Sequence, residues 1–221
     1  MRQSCHPKTK LGIASMTTTT FSYDGLFRDF RNFLLQRKPT STHQITRSIK
    51  EFFKEKYSDE YSVLCSQANG SEFLLDVMVT TFDPKAIVQT STLNVSPAAF
   101  SVLIGVESEL GGVGASSAYG VMKNVVEDYL KLFLVNALHR VMVFTSLPYT
   151  KEEDHVESRV ETLRVIYQRT TGASGGALLI HLAGHQPKST QVQAQVSATS
   201  IRGFIISSDG KSVAELNSSS S

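Results

Sequence analysis

The chain has 221 residues, of which 41% are hydrophobic, and this composition suits one globular domain with appendages rather than two full domains. Its formal net charge is only +2, which neither requires nor excludes a nucleic-acid partner, because a local basic patch matters more than the total. No apolar run is long enough to span a bilayer, and no signal-peptide core follows the N-terminus. We therefore expect a cytoplasmic protein that does not enter membranes.

The first part of the chain predicts a tail followed by two helices. Residues 1–20 are polar and are expected to form a flexible tail. Apolar residues at helical spacing predict a helix over 21–37. Ser41 and Gln44 have the spacing of a capping box, which opens a second helix that ends near Tyr57.

Three strands are expected next. Short apolar runs predict strands over 61–66 and 72–81, joined by the tight turn that an Asn-Gly dipeptide favours. Residues 83–98 hold two prolines and are expected to be irregular. The third strand, over 100–109, has apolar residues on both faces, which is typical of a central strand covered on both sides.

The second half of the chain alternates helices with strands. Its hydrophobic patterns predict helices over 117–138 and 152–170, strands over 141–144 and 177–182, and one or two more strands in 192–206. Residues 207–221 are low in complexity and are expected to be a disordered tail. We therefore expect a single domain over 21–206, with a core at 41–146 and an extension at 147–206.

The order of these elements over 41–146 is helix, strand, strand, strand, helix, strand. Tight hairpins make the early strands antiparallel, whereas a crossover helix requires the last strand to be parallel to its predecessor. The sequence therefore predicts an α/β fold with a mixed central β-sheet flanked by helices.

Carboxylates interrupt two of the apolar strands. Glu107 and Glu109 stand two apart at the end of the third strand, so both project from one face. Asp76 is the only charge in its strand, where the ordinary interpretation is an edge position or a buried hydrogen-bonded carboxylate. Like charges are costly to bury without a partner, and hard cations prefer carboxylate oxygens. Three carboxylates that converge on one sheet face would make a metal site.

On these residues, the chain resembles the PD-(D/E)XK nuclease superfamily, whose restriction-endonuclease-like core has the order αβββαβ. The resemblance covers about 41–146. The family pattern has an acid on the second strand, which Asp76 matches, and (D/E)-x-K on the third. Glu107 matches the acid of the third strand. Glu109 stands where lysine is usual, as in the E-x-E subgroup of type II restriction enzymes.

The resemblance extends into the following helix. Asp128-Tyr129-Leu130-Lys131-Leu132 is similar to the polar-x-x-Lys-Leu signature that follows E-x-E in related nucleases. Lys131 would then replace the missing strand lysine by reaching in from the helix. An ordinary i,i+4 pair between Glu127 and Lys131 explains the same spacing without any catalytic role.

The resemblance implies a metal-dependent deoxyribonuclease of the type II restriction kind. Asp76 and Glu107 would bind Mg²⁺ or Mn²⁺, and Glu109 would bind a metal-linked water or act as its general base. Lys131 would stabilise the charge on the pentavalent phosphorane or orient the water. The implied partner is duplex DNA, cleaved by a homodimer in which the segment 147–206 supplies dimer or DNA contacts.

Two other functions stay open from the sequence. One is a nucleic-acid-binding or assembly protein on a nuclease-like fold that has lost catalysis. The presence of Glu109 in place of the usual lysine keeps this hypothesis open. An α/β hydrolase or metal-binding domain unrelated to nucleic acid is the third hypothesis. His181 and His185 are four apart, but they fall on a predicted strand and loop, so they indicate a metal site only weakly.

Overall fold

The structure is a computed structural model that describes residues 21–66, 74–84, 100–111, 118–146, 152–183 and 201–216. The helices in these ranges are α1 (Tyr23–Arg37), α2 (Thr42–Tyr57), α3 (Ala118–Leu134) and α4 (Glu152–Arg169). The strands are β1 (Ser62–Cys65), β2 (Val77–Thr80), β3 (Val102–Glu109), β4 (Ala137–Ser146), β5 (Ala177–Ala183), β6 (Ile201–Ile206) and β7 (Val213–Leu216).

The seven strands form one mixed sheet in the order of the chain, β1 to β7. The pairs β1–β2 and β2–β3 are antiparallel, β3–β4 and β4–β5 are parallel, and the last two pairs are antiparallel again. The α/β class with a mixed, helix-flanked sheet is confirmed. From α2 to β4 the elements follow the predicted order of helix, three strands, helix and strand, with a parallel last pair.

Each face of the sheet is covered by a different pair of helices. One hydrophobic core joins α1 and α2 to alternate strand residues that include Val77, Ile104 and Val106. A second core joins α3 and α4 to the opposite face. Ile104 and Val106 of β3 face the first core. Successive side chains of a strand point to opposite faces of the sheet, so Glu107 and Glu109 face α3.

Polar caps set the starts of the first two helices. The side chain of Ser22 accepts a hydrogen bond from the Gly25 backbone N–H at the start of α1. Ser41 accepts one from the Gln44 N–H, as the sequence predicts for the start of α2. These caps satisfy backbone donors that the first helical turn leaves without partners. Packing of its apolar face places α2 over β1 and β2.

Close packing of α3 on the sheet depends on Gly105 in the middle of β3. A Cβ atom at this position would lie 2.9 Å from Leu75 Cδ1, 3.4 Å from Ala137 Cβ and 3.6 Å from Leu132 Cδ2. The missing side chain therefore leaves the space that Leu132 of α3 and Leu75 occupy. Leu132 of α3 thus packs directly against the middle of β3.

Three element boundaries differ from the predictions. β2 begins at Val77 rather than 72, so Asp76 lies just before the strand and not within it. α3 ends at Leu134 and β4 begins at Ala137. Apolar residues continue across this turn, so the hydrophobic pattern alone extended the predicted helix to 138 and delayed the strand to 141.

The predicted disordered tail over 207–221 is wrong for its first ten residues. Val213–Leu216 forms β7, which pairs with β6, and Arg202 of β6 makes a bidentate ion pair with Glu215. The connecting turn contains Gly210 at a positive φ of 68°, which glycine adopts easily. The predicted tail 1–20 and the rest of the C-terminal tail lie outside the described residues, as do the Asn-Gly turn and most of 83–98.

No described helix has the length and apolar character needed to cross a membrane.

Candidate active site

Two of the predicted metal ligands occupy neighbouring positions at the edge of the ladder between β2 and β3. The last regular pair at this end of the two strands is Val77 with Val106. Asp76 directly precedes Val77 in the chain, and Glu107 directly follows Val106. The antiparallel register therefore brings these two acids side by side in the backbone, although they are 31 residues apart in the chain.

Asp76 is held by groups from β3 and α2. Its Oδ2 accepts a hydrogen bond from the Ser108 backbone N–H at 2.8 Å and another from the Ser108 hydroxyl at 2.5 Å. The ammonium group of Lys50 lies 3.7 Å from Oδ1, and both side chains are largely buried. The carboxylate is thus fixed in orientation at both oxygens.

Glu107 is almost fully buried, with 4% of its surface exposed. The Lys131 Nζ lies 3.9 Å from Glu107 Oε1 and 2.6 Å from Asp128 Oδ1. Glu127 instead pairs with Lys123 at 3.3 Å. Lys131 therefore makes its nearer contact within its own helix, to Asp128 rather than to Glu127, and a longer one to Glu107 at the end of β3.

Lys131 combines a site contact with solvent access. Its side chain is 49% exposed. The hydrogen bond that Lys131 donates to Asp128 and the nearby charge of Glu107 raise the pKa of Lys131 above its ordinary value, although partial burial opposes this. The ammonium group stays charged at neutral pH and can reach an anion that approaches from solvent.

Glu109 lies on the same face as Glu107, as the spacing of two predicts. Its Oε1 accepts a hydrogen bond from the Gly111 N–H at 2.8 Å. Burial raises the pKa of Glu109 and outweighs that bond, and the negative charges of Asp128 and Asp76 raise it further. A raised carboxyl pKa makes Glu109 a better proton acceptor near neutral pH than an ordinary glutamate.

We call Asp76, Glu107, Glu109 and Asp128 the carboxylate cluster. Lys50 contacts Asp76, and Lys131 contacts both Glu107 and Asp128. Carboxylate oxygens are the donors that Mg²⁺ and Mn²⁺ prefer.

The structure corrects one detail of the predicted metal site. Glu107 and Glu109 share the α3 face, whereas the carboxylate of Asp76 is held by Ser108 and by Lys50 from α2. Within the described ranges, no group of three or more His, Cys, Asp or Glu side chains is placed to hold one ion. The backbone register keeps Asp76 and Glu107 side by side, while the Asp76 side chain contacts Lys50 of α2 and the Glu107 side chain contacts Lys131 of α3.

Three residues of the site were not among the predicted ones. Lys50 and Ser108 position Asp76, and Asp128 binds Lys131. Asp128 stands in the helix signature, where it could have been chosen as the partner of Lys131. Ser108 is the residue between the two glutamates, but no pattern in the sequence indicates that its hydroxyl donates a hydrogen bond to Asp76.

His181 belongs to a different environment. It is 2% exposed, and its Nε2 lies 2.8 Å from the hydroxyl of the equally buried Ser146 on β4. Burial lowers the pKa of His181 to about 3, with further lowering from the charges of Arg159 and Arg202. His181 is thus a neutral residue of the sheet interior. The other residue of that weak pair, His185, lies outside the described residues.

No family model matches the chain, and searches of curated proteins and of solved structures also find no match.

Proposed function

We propose that this protein is a divalent-metal-dependent endonuclease that hydrolyses DNA phosphodiester bonds, of the type II restriction kind within the PD-(D/E)XK superfamily. The observation that carries the proposal is the position of Lys131. Its ammonium group lies beside buried Glu107 at the end of β3. A family member would have its lysine on this strand, at the position of Glu109. The order of elements from α2 to β4 and the side-by-side placement of Asp76 and Glu107 support the same conclusion.

Asp76 and Glu107 are the residues that would hold Mg²⁺ or Mn²⁺. A bound divalent ion would polarise a phosphoryl oxygen and make a bound water more acidic.

Hydrolysis requires a proton acceptor and a positive charge, and this chain supplies both. The oxygen of a water molecule forms a bond to phosphorus, the bond from phosphorus to the leaving sugar oxygen breaks, and the proton of the water passes to the Glu109 carboxylate. The leaving oxygen takes a proton from solvent. Lys131 offsets the negative charge that develops on the phosphoryl oxygens, because its ammonium group is both charged and accessible.

A cleavage assay tests the proposal. Supercoiled plasmid is incubated with the wild-type protein in Mg²⁺ or Mn²⁺ and, as a control, in EDTA. We expect metal-dependent cleavage that Glu107→Gln reduces by at least 100-fold. The matched control is Glu55→Gln, which changes an exposed glutamate on α2 and should cleave like the wild type. Cleavage that survives in EDTA or in Glu107→Gln would contradict the assigned site.

A catalytically silent nucleic-acid-binding or assembly protein is the second candidate. The observation in its favour is that the site lysines are already paired with acids, while Glu109 takes the position of the catalytic lysine. DNA that binds in a mobility-shift assay but is not cut in Mg²⁺, Mn²⁺, Co²⁺ or Ni²⁺ would support this function.

We also propose that the protein acts as a homodimer, because cleavage of both strands of a duplex suits a two-fold enzyme. An exposed stripe on α3 supports this proposal. Tyr119, Leu130 and Leu134 lie along one side of the helix and are 80%, 43% and 86% exposed. Lys123 and Glu127 lie on the same stripe, because residues three, four and seven apart share a helix face.

The stripe is self-complementary in charge. If two copies of α3 pack antiparallel about an axis near the middle of the helix, Lys123 of each copy faces Glu127 of the other. Lys123→Glu and Glu127→Lys should then each be monomeric alone but form a heterodimer when mixed, as measured by light scattering after size-exclusion chromatography. A dimer that is unaffected by either variant would exclude this surface.

A further inference from the structure

Lys50 is a charged residue of α2 that lies largely inside the protein. Its side chain is only 13% exposed, and its ammonium group contacts Asp76 Oδ1 at 3.7 Å and the hydroxyl of Ser66. Lysine is rarely buried without an acidic partner, because burial removes water from the charge. The carboxylate of Asp76 is therefore a main reason that Lys50 can lie here.

Asp76 in turn has donors at both oxygens. Ser108 provides two hydrogen bonds to Oδ2, and Lys50 provides the positive charge beside Oδ1. The side chain of Asp76 is 14% exposed, so solvent contributes little to its stabilisation. Lys50 thus supplies the main opposing charge next to one of the two proposed metal ligands.

We infer that Lys50 is a positioning residue and internal counter-ion for Asp76, which holds the carboxylate in place and limits how tightly the site binds a divalent cation. This inference rests on the proposed function, since it assigns a role toward the same metal. The ammonium group beside Oδ1 repels a cation that the same carboxylate binds. Removal of this charge should therefore strengthen metal binding. It should also lower the stability of the folded protein when no metal is bound.

The role separates Lys50 from Lys131. Lys131 is half-exposed and can contact a substrate, whereas Lys50 is enclosed between α2 and β2 and acts through Asp76. Loss of Lys50 should change metal affinity and metal-dependent stability. Loss of Lys131 should mainly reduce the rate of cleavage.

Calorimetric titration with Mn²⁺ and thermal unfolding test the inference in four full-length proteins. These are the wild type, Lys50→Gln, Lys50→Arg, which keeps the charge, and Lys54→Gln, which changes an exposed lysine one turn further along α2. We expect Lys50→Gln to bind Mn²⁺ roughly tenfold more tightly than the wild type. Its unfolding midpoint should fall by several degrees in EDTA and recover in Mn²⁺. Lys50→Arg and Lys54→Gln should resemble the wild type.

The outcomes distinguish the two proposals. If the wild type binds no Mn²⁺, or if Asp76→Asn binds as well as the wild type, the proposed metal site is wrong and the inference falls with it. If the wild type binds Mn²⁺ through Asp76 but Lys50→Gln binds equally or more weakly, only the inference is overturned. It is also overturned if Lys50→Gln stays unfolded in saturating Mn²⁺ while Lys50→Arg folds, because a metal could then not replace the charge.

Discussion

Replacement of His181 by glutamine should remove a large part of the acid sensitivity of this protein. His181 lies in the sheet interior, bonded to Ser146, with the positive charges of Arg159 and Arg202 near it. Protonation would place a charge in a buried site that already faces two cations. Glutamine can keep a hydrogen bond to Ser146 but does not titrate.

The magnitude follows from the difference between the folded and unfolded pKa of His181. The folded pKa is about 3, and the ordinary value is 6.5. Because the folded pKa is the lower one, the unfolded chain binds more protons between these values, so stability is full above pH 6.5 and falls as the pH drops through this window. Each pH unit costs about 1.4 kcal/mol, which gives about 2 kcal/mol at pH 5. For a chain of this size, that corresponds to roughly 4–8 °C in the unfolding midpoint.

Thermal unfolding of the wild type and His181→Gln at pH 7.5, 6 and 5 measures the effect. Acidic groups whose pKa is lowered in the fold, such as Glu215, affect both proteins equally, so the difference between the two curves isolates the histidine. We expect the wild type to lose several degrees more than the variant between pH 7.5 and pH 5. Parallel losses in the two proteins would refute the assignment of a neutral, buried histidine.

Two further substitutions test how the site is held together. Gly105→Val should destabilise the protein by about 2 kcal/mol in urea unfolding, because added methyl groups meet Leu75 and Leu132, and a change below about 0.5 kcal/mol would show that α3 is not packed as tightly as described. Ser108→Ala should cost about 1–3 kcal/mol, because Asp76 loses a hydrogen bond to a charged group, and should weaken Mn²⁺ binding several-fold in a calorimetric titration. Unchanged affinity in Ser108→Ala would mean that this hydroxyl does not position the carboxylate.

Local patterns in the sequence predict much of the sheet and of the acidic site. The capping pair Ser41 and Gln44 marks the start of α2, and the spacing of two places Glu107 and Glu109 on one face of β3. Both depend on neighbours within a few residues. The fold class followed from the order of such local patterns.

Contacts between distant elements could not be predicted in the same way. Lys131 contacts Asp128 in its own helix and Glu107 on β3, and the second contact depends on how α3 packs on the sheet. Lys50 lies at the margin of the buried face of α2, and its distance to Asp76 depends on how that helix crosses the sheet. The sequence does not predict β7, because serine-rich flanks surround a strand of only four residues, which pairs with β6.

The most direct measurement is a crystal structure of the protein soaked in Mn²⁺, with diffraction recorded at the manganese absorption edge. We expect one anomalous peak bound by carboxylate oxygens of both Asp76 and Glu107, with Lys131 still beside Glu107. A protein that shows no peak in this cluster at saturating Mn²⁺, or a peak whose ligands exclude Glu107, would contradict the assignment of a metal-dependent nuclease site.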